Sequence, residues 1–205
     1  MRTGSETRGL VIGGSSHCGK STLAQRLGEA LDWRVKSTDA LGRHPGRPWP
    51  SIPAPVEEFY ETLSDDTIYW FLRVHHTNFW PLLVRTIAEE KSAGGGFVLE
   101  GSAMRPENLA TLNDAELLPV HLYADPEFLA ERMRDASDYG QQDARRKRLI
   151  DKFITRSLRD SLELHEAAKA HECRLIDVGD ATGLERATER LIDELRHQPL
   201  VRDRR

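Results

Sequence analysis

Gly14-Ser15-Ser16-His17-Cys18-Gly19-Lys20-Ser21 has the spacing Gly-x-x-x-x-Gly-Lys-Ser, the residue types a bound phosphate chain needs. Gly14 and Gly19 can take backbone angles closed to other residues, so the loop can curl with its N–H groups inward. Those donors, with the positive end of a following helix through Thr22, would cradle phosphate oxygens. Lys20 adds a mobile cation for the β- and γ-phosphates, and Ser21 offers a hydroxyl to Mg²⁺, a hard ion that prefers oxygen. A Gly/Ser-rich turn ending in Gly-Lys-Ser by chance is the plain alternative. Against it, apolar Leu10-Val11-Ile12 precedes the loop, and Leu23, Leu27 and Leu31 follow at helical spacing.

Two carboxylates stand where further chemistry is expected. Asp39 follows a predicted second strand, Arg34 to Thr38, and can take or orient the proton of an acceptor hydroxyl; a turn cap is the alternative. Glu100 follows Phe97-Val98-Leu99 and could hold a Mg²⁺-bound water or a substrate group, or simply face solvent, with Gly101 beside it allowing close approach. Arg145, Arg148, Lys152, Arg156 and Arg159 fall within an arc of roughly 80° on a long predicted helix. Ile150, Ile154, Leu158 and Leu162 take the other face. A solvated basic stripe is the alternative for most of the five. Arg156 and Arg159 are the two expected to point inward as catalytic cations, because arginine's planar fork suits transferring phosphates. Arg43, His44 and Arg47, in an irregular segment, and Arg105 are candidate substrate contacts, with Arg132 a further cation. His75-His76 could line a pocket or serve packing, and oxidation of Cys18 could block the loop.

The elements that must position these groups alternate between strand and helix. Strands are predicted at about 9–13, 34–38, 97–100, 117–123 and 174–178. Helices are predicted at 20–31, within 56–92, from Pro126, over 143–170 and after Thr182. Ser64 and Asn78 read as caps of two successive helices, with Pro81 early in the second; Asp125-Pro126 opens another, and Thr182-x-x-Glu185 reads as a capping box. Gly42 through Pro55 is too rich in Gly and Pro for regular structure, and Pro199 is expected to stop the last helix. The alternation predicts a parallel sheet with helices on both faces. Ligands in such sheets lie beyond the carboxyl ends of the strands. Gly13/Gly14, Asp39, Glu100, Tyr123/Asp125 and Gly179/Asp180 should therefore share one rim.

At 205 residues the chain predicts one domain, 1–205, able to bury a core. A net charge of −4 with no aromatic-interleaved basic surface argues against nucleic acid, and no apolar run approaches membrane-spanning length. The polar residues 1–8 lack a signal peptide's apolar centre, and two isolated cysteines exclude a disulfide framework, so a cytoplasmic location is expected.

On Gly14 to Ser21, Ser37-Thr38-Asp39 with Arg43-His44, Leu99-Glu100-Gly101, Leu122 to Arg132 and Arg156 to Val178, the chain resembles the P-loop small-molecule kinases of nucleoside-monophosphate-kinase type. Shikimate kinase, gluconate kinase, chloramphenicol phosphotransferase and 2-phosphoglycerate-kinase-like proteins belong to this group. The resemblance implies a three-layer α/β fold with a five-stranded parallel sheet in order 2-3-1-4-5. It also implies a helical substrate insert at about 40–95, a lid at about 134–150, Asp39 as base, and adenine near Gly179 to Thr182. No arginine-aspartate lid signature of adenylate kinases is present.

Three functions follow as expectations. The first is an ATP- and Mg²⁺-dependent transfer of the γ-phosphoryl group to a hydroxyl of a small polar molecule, by a monomer or homodimer. Arg43, His44 and Arg47 suit an anionic acceptor, while Trp49, Phe59, Tyr60, Trp70 and Trp80 suit a bulkier, drug-like one. The second is a nucleotide switch acting through a protein partner, against which stands the lack of Asn-Lys-x-Asp. The third is an ATPase module acting on a protein or nucleic acid.

Overall fold

The computed structural model describes residues 7–42, 44–49, 51–180 and 182–197. Strand β1, Gly9–Gly14, is buried along its whole length. Leu10 and Ile12 point into one apolar cluster and Val11 into another, as the two-residue period of a strand requires. β3, Phe97–Glu100, divides likewise, Val98 to the first cluster and Phe97 and Leu99 to the second. A sheet with core on both faces reads as continuous apolar sequence and is parallel. With β2, Arg34–Ser37, β4, Leu117–Tyr123, and β5, Arg174–Asp177, it forms five parallel strands in order β2-β3-β1-β4-β5. The alternation is that expected from the sequence, and the order is that implied by the resemblance.

Helix α1, Lys20–Leu31, leaves the loop after β1 and buries Leu23, Ala24 and Leu27 completely. Helices α2, Ala54–Thr62, and α3, Asp65–Ser92, form the insert between β2 and β3. Ser64 caps α3 as predicted, its hydroxyl accepting from the Thr67 amide. Asn78 does not begin a new helix: α3 runs 28 residues through Pro81. Its buried positions His76, Leu83 and Ile87 continue past the proline on one face. Pro81 and Thr77 are exposed, so the Thr77 carbonyl that loses its amide partner faces water.

Helix α4, Pro106–Leu112, is not foreseen in the sequence. Helix α5, Pro126–Ala136, has Asp125 as N-cap, and α6, Ala144–Ala170, has Asp143. Leu162, expected on the apolar face of α6, is 62% exposed. The core side of that helix instead centres on Ile150, Phe153, Ser157 and Leu164. Helix α7, Gly183–Arg196, lacks the predicted capping box. The Thr182 hydroxyl is taken by Asp180 and Arg186 instead. Pro199 lies outside the described residues. Among those described, no helix is long and apolar enough to cross a membrane.

Candidate active site

The loop between β1 and α1 is fixed by three bonds. Ser15 Oγ donates to the Ser157 carbonyl of α6 at 2.7 Å. Lys20 Nζ and Cys18 Sγ both donate to the Ser15 carbonyl, at 2.7 and 2.9 Å. Gly14 has φ +142°, and a Cβ there would sit 2.7 Å from both Cys18 Sγ and the Leu122 carbonyl. Gly19 has φ +90°, so both glycines are required by the backbone. Among the described residues, the amides of Gly19, Lys20, Ser21 and Thr22 donate to no backbone carbonyl, and no side chain caps α1. Four amides without a backbone acceptor at a helix N-terminus are suited to an anion. Lys20 lies folded back on the loop and buried, within reach of an anion seated there. Cys18 is 1% exposed, so the thiol is shielded from the oxidants the sequence reading considered.

Around this loop opens a cleft of about 250 Å³. Ser16, His17, Gly19, Lys20, Ser21 and Thr22 line one end. The insert contributes His44, Arg47, Leu72, His75, His76 and Phe79. Arg132 of α5 and Phe153, Arg156, Ser157 and Asp160 of α6 close the sides. Asp39 faces the same cleft from a 3-10 turn, Thr38–Ala40, that directly follows β2. Thr38 beneath it is fully buried against Gly101, where any Cβ would overlap the Thr38 hydroxyl. Gly101 thus sets the height at which Asp39 is presented.

Glu100 is 2% exposed, not the solvent-facing strand end that was its alternative. Its Oε1 accepts from the Ser21 hydroxyl at 3.1 Å, while Oε2 is sealed without a partner. A buried carboxylate oxygen with no donor is a place for a cation. Ser21 and Glu100 together offer only oxygen, which fits Mg²⁺. Among the described residues no group of three or more His, Cys, Asp or Glu is spaced to hold a metal. Mg²⁺ is ordinarily held by one or two protein oxygens with substrate phosphates and water.

Of the cations named from sequence, Lys20, Arg47, Arg132 and Arg156 reach the cleft. Arg156 lies over the Phe153 ring at 4.4 Å, and its Nε is buried without a partner. Arg159 does not come inward. It lies about 60° from Arg156 around α6, where Asp66 holds it at 2.9 Å over the Tyr69 ring. Arg105 does not line the cleft either: it is 3% exposed and paired with Asp160 at 2.9 Å and with Glu107. Arg43 lies outside the described residues. Of the rest of the basic stripe, Arg145 and Lys152 are not simply solvated. Arg145 pairs with Glu57 and Glu61 of α2, and Lys152 donates to the Leu63 carbonyl.

Electrostatically the cleft is cationic, with neutral imidazoles. Burial, then Arg47, Lys20 and Arg132, lower the His17 pKa to about 4. Burial likewise lowers His44 and His75, with nearby Asp39 opposing it in both. Asp160 is pushed up by burial against the pull of Arg105 and Arg156. His76 lines the cleft and is buried, so both expectations for the pair His75-His76 meet in it, whereas Asp160 has no signal in the sequence. Asp160 lies on the helix that carried the basic stripe, one residue beyond Arg159, and no spacing rule marks it.

A Gly-x-x-x-x-Gly-Lys-Ser loop thus follows the central strand of a five-stranded parallel α/β sheet in order 2-3-1-4-5. No model of a known protein family matches the sequence, and no curated protein matches it. Solved structures do match in fold. A gluconokinase from Sinorhizobium meliloti aligns with a TM-score of 0.52 and 22% identity, over 94% of this chain and 99% of that one. A shikimate kinase from Bacteroides thetaiotaomicron gives 0.52 and 18%, over 92% and 98%. A deoxyadenosine kinase from M. mycoides with bound dATP gives 0.53 and 9%, over 92% and 99%.

Proposed function

We propose that this chain is an ATP-dependent phosphotransferase that moves the γ-phosphoryl group to a hydroxyl of a small polar molecule, with Asp39 as base. The observation that carries the reading is the single cleft that joins the free amides after Gly14 to Asp39. The names of the like-folded gluconokinase and shikimate kinase support a small acceptor.

In this reading the acceptor lies among the insert residues of 40–95 and gives its hydroxyl proton to an Asp39 carboxylate oxygen. The acceptor oxygen bonds to the γ-phosphorus as the bond to the bridging β,γ-oxygen breaks, and ADP leaves. The loop amides and Lys20 hold the phosphates, while Arg132 and Arg156 face the charge of the group in flight. Ser21 and Glu100 are the residues that would hold Mg²⁺, which supplies charge neutralisation at the phosphates when bound. The loop Gly179 to Thr182 is assigned to the base and the segment 134–150 to a lid.

The test is an ATP-consumption screen over metabolites and antibiotics, with mass analysis of the product. The expected result is one acceptor that gains one phosphoryl group. Asp39→Ala should cut kcat by roughly 10²–10⁴-fold with ATP binding unchanged. Normal turnover in Asp39→Ala removes the base assignment, and ATP hydrolysis indifferent to every acceptor removes the transferase reading.

A further inference from the structure

His76 stands in the middle of α3, on the face that buries Ile68 and Leu83, where an aliphatic side chain would pack. It is 1% exposed and borders the cleft. Its Nδ1 is sealed without a partner, and among the described residues Nε2, which is not sealed, forms no hydrogen bond. Its ring contact is with His75, at 6.0 Å between centroids. A buried polar group left unpaired costs about 1–3 kcal/mol, and native structures rarely leave one so without a use. A histidine kept for packing would find a carbonyl or a carboxylate; this one finds neither.

Burial first, then Arg105, His75, Arg156 and Arg73, hold the His76 pKa well below its usual value. The ring is therefore neutral near pH 7, with one N–H and one lone pair. A hydrogen on the sealed Nδ1 would find no acceptor there. We assign the hydrogen to Nε2, the nitrogen left toward the cleft.

The neighbours divide the remaining chemistry. In the reading above Asp39 serves the reacting hydroxyl, and Arg156 lines the same cleft as His76. A neutral N–H complements an uncharged oxygen. Beside it His75 stacks on Phe79, with centroids 5.5 Å apart and planes 16° apart, and His44 lies 5.6 Å from His75. These rings form a wall that leaves His76 as a donor recessed among them.

We infer that His76 sets acceptor specificity: its imidazole donates a hydrogen bond to a hydroxyl of the acceptor other than the one phosphorylated. This rests on the phosphotransferase reading above and adds to it that the acceptor carries at least two hydroxyls. A site built to hydrogen-bond a hydroxyl rejects the analogue lacking it far more strongly than an apolar pocket rejects a missing methylene.

The experiment has two arms. In the first, hexoses, hexonic acids, inositols and their single-deoxy analogues are offered with Mg·ATP to the wild type, His76→Gln and His76→Phe. The best acceptor should lose roughly 10⁴-fold in kcat/KM when one particular non-reacting hydroxyl is removed. In His76→Phe that discrimination should collapse to about 10-fold, with the KM for ATP unchanged, while His76→Gln, which keeps a donor near Nε2, retains much of it. In the second arm, the ¹⁵N resonances of the His76 ring are followed in wild-type protein as the same compounds are added. The expected result is a shift with the full acceptor and none with the deoxy analogue. Discrimination intact in His76→Phe, or a ring resonance unmoved by every compound, overturns the inference. If His76→Phe does not fold, the His76→Gln comparison and the resonance arm decide. A moved resonance with no phosphoryl transfer upholds the hydrogen bond and overturns the kinase reading alone.

Discussion

Asp39 lines the cleft while Glu100, one strand over, is buried, which suits the two carboxylates to different work. A base must be reached by its substrate, whereas a buried oxygen without a donor needs a cation. Glu100→Gln should therefore raise the Mg²⁺ concentration needed for half-maximal turnover by at least about tenfold, measured by Mg²⁺ titration at saturating ATP. The buried imidazoles make a separate prediction. Burial, with Lys20 and His165, lowers His121 to about 3, and His17 stands at about 4. Both are neutral in the folded chain down to those values, while the unfolded chain protonates near pH 6.5. The unfolded state thus binds more protons below pH 6.5, and stability falls as pH drops from there toward 4. Urea unfolding should show the wild type losing stability relative to His121→Gln between pH 7 and pH 4.5. A gap that does not change with pH would contradict the assignment.

At the scale of elements, α6 is the spine of the site. Its Ser157 carbonyl holds the phosphate loop through Ser15, and its Arg145, Lys152 and Arg159 hold α2 and α3. A stripe that periodicity marks as basic therefore acts as the seam between sheet domain and insert, leaving Arg156 of those three turns facing the cleft. Lys152→Ala with Arg159→Ala should speed amide exchange across 54–92 with little change in the global melting temperature. These contacts are exposed, and they tie down a local unit rather than the sheet. Equal exchange in wild type and double variant would remove the seam.

For the whole molecule, the loop after β1 and the insert residues line one cleft because the insert folds back over the rim of the sheet. A Cβ added at Gly19 would lie 3.2 Å from Leu184 Cδ2, so the loop also borders α7. A ligand filling that junction stabilises the entire fold by mass action, by about 2.7 kcal/mol at a hundred times its Kd. Mg·ATP should raise the melting temperature of the wild type, and the rise should be largely lost in Lys20→Ala. An equal rise in that variant would place the nucleotide elsewhere.

The sequence by itself determined the elements whose signals are local. The strand-loop-helix of residues 9–31, the caps Ser64 and Asp125, and β4 could be located from neighbouring residues. Apolar strands alternating with helices led to a parallel sheet, and the resemblance supplied its order. Only the tertiary structure decided which side chains converge. Arg156 and Arg159 are three residues apart with the same chemistry, and the position of Asp66 on a distant helix separates them. Asp160 and Arg105 are 55 residues apart and become a buried pair. For His76 the sequence leaves a pocket and a packing role open, and only the fold shows that it is buried. Local signals come from a few successive residues, whereas burial and pairing depend on elements far apart in the chain, so the loop was legible and the acceptor end was not.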